Sequence, residues 1–172
     1  MAEAMTTVAK TVPPTVTRSM LEQVSVAIPH WQGVAQAFTP LLSDQDALWP
    51  WFALGRVAEG QNRWGDAEKA YQACLTMTKQ RFGSEYPNTA TSLNNLALLY
   101  RAMGRYPEAE PLYVRAIAIW TETLGQDHPH TQQGLKNFRS CVSKAWQAGR
   151  AEELSNHPIT QAILELIKQQ GL

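Results

Sequence analysis

Apolar residues recur at helical spacing through most of the chain, in pairs of stretches separated by short polar turns. Over residues 91–125, Leu93, Leu96, Ala97 and Tyr100 lie three and four apart, as do Ala109, Leu112, Tyr113, Ala116 and Ile117, with Gly104-Arg105-Tyr106 between the two sets. That pattern predicts two amphipathic helices, over 89–103 and from Pro107 to Leu124, joined by a glycine turn. Pro111 follows the second start so closely that its missing N–H is expected to cost little. The preceding stretch follows the same plan. A helix over 46–61 has Pro50 in its opening turn and Trp51, Leu54, Gly55 and Ala58 on one face. A helix over 65–82 has Ala67, Ala70, Tyr71, Cys74 and Leu75, and Gly83 follows as a left-handed stop.

The two pairs are copies. A shift of forty-two residues lays Trp51, Leu54, Gly55, Ala67, Tyr71 and Gly83 on Leu93, Leu96, Ala97, Ala109, Tyr113 and Gly125. A third unit begins with Leu135, Phe138 and Val142, and Gly149-Arg150 echoes Gly104-Arg105, but Asn156-His157-Pro158 interrupts before a long second helix forms. A new helix over 158–170 then carries Ile159, Ala162, Ile163, Leu166 and Ile167, and it reads as the cap that closes a stack. Upstream, Met20, Leu21, Val24 and Ile28, followed by Trp31, Val34, Phe38 and Leu41, predict a degenerate hairpin over 19–44. Residues 1–18, with Pro13-Pro14 and no periodicity, read as a flexible leader. The expected organisation is therefore leader, degenerate hairpin, repeats over 45–156 (46–87, 88–129 and 130–156) and a capping helix over 157–172. A lone hairpin buries too little surface to offset its ordering entropy, so these units must stack. The expected fold is an all-α, right-handed solenoid.

Composition narrows the function classes. Apolar residues make up 44% of the 172 and charged residues 17%, which is a globular balance. Fifteen basic residues against fifteen acidic ones leave no long-range field for a general nucleic-acid binder, so charge recognition must be local. No apolar run approaches the ~20 residues of a membrane span, and neither nucleic acid nor membrane is expected as a partner. Cys74 and Cys141 lack metal-type spacing and read as two buried, reduced thiols of a cytoplasmic protein.

Candidate chemistry is sparse. Asp127-His128-Pro129-His130 and the more distant His157 lack a second ligand cluster, so they read as an inter-repeat loop, with no metal expected. Neither cysteine has a histidine partner in a catalytic pattern, and the ten glycines are scattered singly rather than grouped in a phosphate loop. No catalytic residue, no cofactor and no enzyme activity are expected.

The layout Leu93, Leu96-Ala97, Tyr100, Gly104, Tyr106, Ala109, Tyr113 and Ala116 resembles a tetratricopeptide repeat. Its forty-two-residue period is similar specifically to the repeats of kinesin light chains and their bacterial relatives, and SLNNLALLYRAMGRYPEAEPLYVRAI and LGQDHPHT match that type over about 46–145. Departures are GSEYP over 83–87, Asn62 in place of a turn glycine, and the unrecognisable second helix of the third unit. No coiled-coil pattern precedes the repeats, so a motor-associated role is not expected. The resemblance implies that the first helices line a concave groove for a peptide. Carried over by position, its lining is Trp49, Phe52, Arg56 and Glu59, then Thr91, Asn94, Asn95, Leu98 and Arg101, then Gln133, Lys136, Asn137, Ser140 and Lys144. Asparagine amides there both donate to and accept from a peptide backbone. Arg56, Arg101, Lys136 and Lys144 against Glu59 make the lining locally positive, which points to an acidic peptide. Two readings follow: a peptide-binding adaptor or scaffold, and a structural unit that self-associates through the ends of its stack into a homo-oligomer.

Overall fold

The computed structural model describes residues 48–169, and these contain six α-helices and no strand. They are α1 (Trp49–Gly60), α2 (Trp64–Phe82), α3 (Pro87–Ala102), α4 (Tyr106–Leu124), α5 (Pro129–Gln147) and α6 (Pro158–Gln169), with a 3-10 turn at Ala151–Glu153. The expected leader and the degenerate hairpin over 19–44 lie outside the described residues. The chain divides into two compact units, one ending at Arg81 and the other beginning at Phe82.

In the N-terminal unit α1 and α2 form a hairpin. Asn62 holds the turn with φ +56°, a left-handed conformation that asparagine tolerates better than most residues. Gly55 is there for close approach: a Cβ at that position would lie 2.4 Å from the Tyr71 ring. Tyr71, Cys74, Ala67 and Trp51 are buried, as their spacing predicts.

In the C-terminal unit α3 and α4 form the next hairpin, and α5 packs against α4. Leu93, Leu96, Ala97, Tyr100, Ala109, Tyr113, Ala116 and Ile117 are buried as expected, while Leu112 is half-buried. Leu99, Ile119 and Trp120 are buried as well, so α3 and α4 each bury more than one stripe. Ala109 is fully buried. Ala109→Leu is expected to overpack it and cost roughly 1–3 kcal/mol, read as a lower thermal unfolding midpoint. An unchanged midpoint would remove the helix pairing.

Pro111 departs from expectation. It is the sixth residue of α4, beyond the turn whose N–H groups are free anyway, so one bond to the Pro107 carbonyl is missing. Both prolines are exposed, which lets water take that carbonyl.

The loops that start the first helices share one device. Gly83 (φ +95°) and Gly125 (φ +93°) are forty-two residues apart and both require the left-handed backbone. The buried hydroxyls of Thr89 and Thr131 donate to their carbonyls at 2.7 and 2.8 Å. Each threonine lies two residues after the proline that opens its helix, Pro87 and Pro129. Pro158 and Thr160 repeat this placement in α6, only twenty-nine residues after Pro129. The cap thus begins as a first helix does, brought forward in the chain.

What was lost between is visible at the turn. Arg63–Asp66, Arg105–Glu108 and Arg150–Glu153 are the same i,i+3 ion pair at the start of successive second helices. The Arg150 guanidinium also donates to the Gly104 carbonyl at 2.6 Å and lies over the Tyr106 ring, which seats the third turn on the second. After Glu153 the chain leaves helical geometry at Leu154. The shortened segment borders a cleft of about 500 Å³ against Pro107, Pro111, Val114 and Ala118. In α6 the buried residues are Thr160, Ile163, Leu164 and Ile167, whereas Ala162 and Leu166 of the expected stripe are exposed. The apolar stripe is wider than the face that finds a partner.

Candidate functional site

The residues carried over as groove lining fall into both units. In the N-terminal unit Phe52 is only 5% exposed and packs near the Tyr71 ring, with Trp49 edge-on to it at 6.3 Å. Phe52 therefore lies in the interior of its hairpin rather than on open surface, while Trp49 is half-buried. Arg56 and Glu59, one turn apart on α1, face each other electrostatically. Burial lowers the Arg56 pKa, and the nearby Tyr71 and Glu59 oppose that shift. Burial raises the Glu59 carboxyl, against which act a hydrogen bond from the Tyr71 hydroxyl and the Arg56 charge. The positive Arg56 of the sequence reading is thus balanced within its own helix.

In the C-terminal unit the residues expected as lining belong to α3 and α5. Asn94 is 8% exposed and accepts a hydrogen bond from Asn137 Nδ2 at 3.1 Å, while Asn137 Oδ1 accepts from Gln133 Nε2 at 2.9 Å. This amide chain joins α3 to α5 and fixes which way the Asn137 carboxamide points. One Asn137 N–H and the whole half-exposed Asn95 amide stay available. Leu98, Ser140 and Arg101 are half-buried beside them, and Lys136, Gln133 and Lys144 are exposed. Thr91 spends its hydroxyl on the Pro87 carbonyl.

Charge gathers here without compensation. Among the described residues no carboxylate pairs with Arg101, Lys136 or Lys144. The charges of Arg101 and Lys144 both act on the buried Cys141 thiol, which burial chiefly, and Glu110 in addition, push up to about 12. At neutral pH that thiol is protonated, and a protonated thiol is inert as a nucleophile.

Glu110 is the functional-looking residue that sequence reasoning missed. It is 3% exposed and accepts from the Ser155 N–H at 2.7 Å, from the Ser155 hydroxyl at 2.6 Å and from the Thr160 hydroxyl at 2.5 Å. The signal was there: Tyr106, Ala109, Glu110, Tyr113 and Ile117 form one stripe at spacings of three and four, with a carboxyl in the middle. Its three donors all lie at or just before the start of the cap, so it fastens that segment at the edge of the cleft it helps to line.

His128 and His130 serve the loop. His128 Nδ1 accepts from the His130 N–H as the cap of α5, and the His130 ring stacks on Trp120. Among the described residues no group of three or more His, Cys, Asp or Glu side chains is placed to hold a metal ion. None of the described helices is long and apolar enough to cross a membrane.

The architecture has known counterparts. The tetratricopeptide-repeat family model matches residues 46–122 and 88–138, together more than half of the chain. No curated protein matches the sequence. Among solved structures, BtubC (BKLC) from P. vanneervenii is 18% identical with a TM-score of 0.55 over 90% of this chain, which spans 64% of that one. A putative kinesin light chain from Podosopora anserina, with nearly identical TPR-like repeats, is 19% identical with a TM-score of 0.63 over 98% of this chain and 86% of that one. A variant of that same protein gives the same score and identity over 97% and 74%. Repeats of this kind mediate protein–protein interaction and form non-enzymatic scaffolds that bind proteins or peptides. The chain belongs to the tetratricopeptide-repeat family and has the fold of its kinesin-light-chain-like members.

Proposed function

We propose that the chain is an adaptor or scaffold that binds an acidic peptide along the α3–α5 face of its C-terminal unit. The observation that carries this reading is the uncompensated trio Arg101, Lys136 and Lys144 beside the available amides of Asn95 and Asn137. The amides meet an extended backbone, and the cations select for acidic side chains near it. Selection of displayed 12-residue peptides on the full chain is expected to enrich Asp and Glu. The double variant Asn95→Ala/Asn137→Ala is expected to weaken the selected peptide at least about tenfold, since each lost hydrogen bond is worth ~1 kcal/mol. Raising the salt should weaken the wild-type complex as well, because the Lys136 and Lys144 charges are exposed. Unchanged affinity in a double variant that still unfolds at the wild-type temperature would remove the groove. The two buried thiols fit a reducing compartment, and the cytoplasm is the proposed location.

A second reading, self-association through the end of the stack, draws on Leu166, 42% exposed beside Ile159, Ala162 and Leu135 in a cleft between α5 and α6. Sedimentation over a range of concentrations separates the two. A monomer at every concentration excludes the self-associating unit.

A further inference from the structure

A forty-two-residue shift sets Pro107, Pro111, Val114 and Ala118 of α4 over Gly65, Lys69, Gln72 and Thr76 of α2. The four α2 residues are exposed and offer little apolar surface, so this stripe of a second helix ordinarily meets water. In α4 it is apolar throughout, although Pro107, Pro111 and Ala118 are exposed and Val114 is half-buried. Their spacing puts the four on one helical face, over about 16 Å at 1.5 Å per residue. They form the floor of the cleft of about 500 Å³ that Glu153, Ser155 and His157 border on its other side. An open apolar stripe that the equivalent helix lacks marks an interaction surface.

The chemistry of the cleft selects its occupant. The polar groups around the floor are engaged: the Ser155 hydroxyl donates to Glu110, Arg115 pairs with Glu85, and His157 Nδ1 accepts from the Ile159 N–H. An extended chain laid there would bury unpaired N–H and C=O groups, whereas a helix satisfies its own. Charge is uneven along the stripe. Towards Ala118 the Arg115 charge is already matched by Glu85. At the Pro107 end stand two carboxylates, Glu110 and Glu153, the second brought there by Arg150, which pairs with it and lies over the Tyr106 ring. The three donors to Glu110 are all uncharged, so among the described residues one negative charge at this end has no cation. The Pro107 carbonyl, which Pro111 leaves without its helix bond, lies at the same end. An acceptor-rich, negative end that continues into an apolar floor fits a cation followed by an apolar stripe.

We propose that this outer face of α4 docks an amphipathic helix of a partner protein, its apolar stripe on Pro111, Val114 and Ala118 and a lysine at its end over Pro107. The ammonium donates to the Pro107 carbonyl and sits beside the exposed Glu153 carboxylate, in the field of Glu110. The site lies on a second helix and uses none of the α3 and α5 residues of the peptide groove, so it stands or falls apart from that reading.

The probe is the capped peptide Lys-Ala-Gln-Ala-Leu-Ala-Gln-Leu-Ala-Gln-Ala-Leu-Ala-Gln, held helical by a hydrocarbon staple on the face away from its leucines, and a twin with Glu in place of the lysine. Titrated into the ¹⁵N-labelled full chain, the Lys peptide is expected to bind at least about fivefold more tightly than its twin. It should move the backbone amides of Val114, Arg115, Ala118 and Ser155. Ala118→Glu places a charge under the leucines from an exposed position, and should weaken the Lys peptide at least about tenfold while the thermal unfolding midpoint stays at the wild-type value. Glu153→Gln should narrow the preference for Lys over Glu. Thr121→Glu, exposed on the same helix outside the cleft, should change neither affinity nor preference. Equal binding of the two peptides, or an affinity that Ala118→Glu leaves unchanged, would overturn the proposal. So would shifts gathered on the Asn95 and Asn137 side-chain amides, or no binding by either peptide.

Discussion

Phe138→Ala is expected to lower the stability of the C-terminal unit by about 3–5 kcal/mol. Phe138 is fully buried in α5, with its ring centre 5.9 Å from that of Tyr113 in α4. Truncation removes the transfer energy of the ring and leaves a space that two rigid helices cannot close. Nearby, Gly134 already lets Trp120 lie against α5, since a Cβ there would sit 2.8 Å from the indole. That indole is held in turn by its bond to the Pro87 carbonyl at 3.2 Å, so it does not move to fill a gap. A small domain has a total stability of about 5–15 kcal/mol, so the loss is a large share of it. Urea unfolding followed by circular dichroism reads the effect. Phe138→Leu keeps most of the volume and should cost less than about 1.5 kcal/mol. Equal losses in the two variants would show that the ring contact with Tyr113, rather than the volume the side chain fills, is what Phe138 supplies.

Glu110→Ala comes next, at about 3 kcal/mol, and its signature is local. Three hydrogen bonds vanish and the Ser155 N–H is left without its acceptor, where each bond is worth ~1 kcal/mol and the orphaned group about 1–3 kcal/mol. All three donors lie in 155–160, so α6 should lose its anchor before α3 and α4 lose theirs. Amide hydrogen exchange is expected to quicken over 155–169 while the centres of α3 and α4 stay protected. Glu110→Gln keeps one acceptor oxygen and should fall between wild type and alanine. Uniform acceleration across the unit would instead make Glu110 a general core residue rather than the fastening of the cap.

The cap shows why such a fastening exists. A regular second helix after Arg150 would have covered α5 with a full helical face, whereas the chain makes one 3-10 turn and goes directly to α6. With less apolar contact available, the junction relies on polar bonds that reach back to the preceding hairpin: Arg150 to Gly104, and Ser155 and Thr160 to Glu110. Thr160 shows the change of partner. Its counterparts Thr89 and Thr131 donate to a loop glycine carbonyl six residues earlier, and Thr160 has a carboxyl of another helix instead.

Much of this was written in local spacing. Helical period, glycine turns and prolines at helix starts depend on residues within one or two turns, so the six helices and most of the buried stripe, from Leu93 to Ile117, are legible without coordinates. Repetition at forty-two residues then implies stacking, because equal faces must meet equal neighbours. The structure alone decided what depends on residues far apart in sequence. It turned Phe52 inward beside Tyr71 and committed part of the Asn137 amide to Asn94. A lining position is named by its helix, but its hydrogen-bond capacity is settled by what packs beside it, and for Asn137 that partner, Asn94, is forty-three residues away.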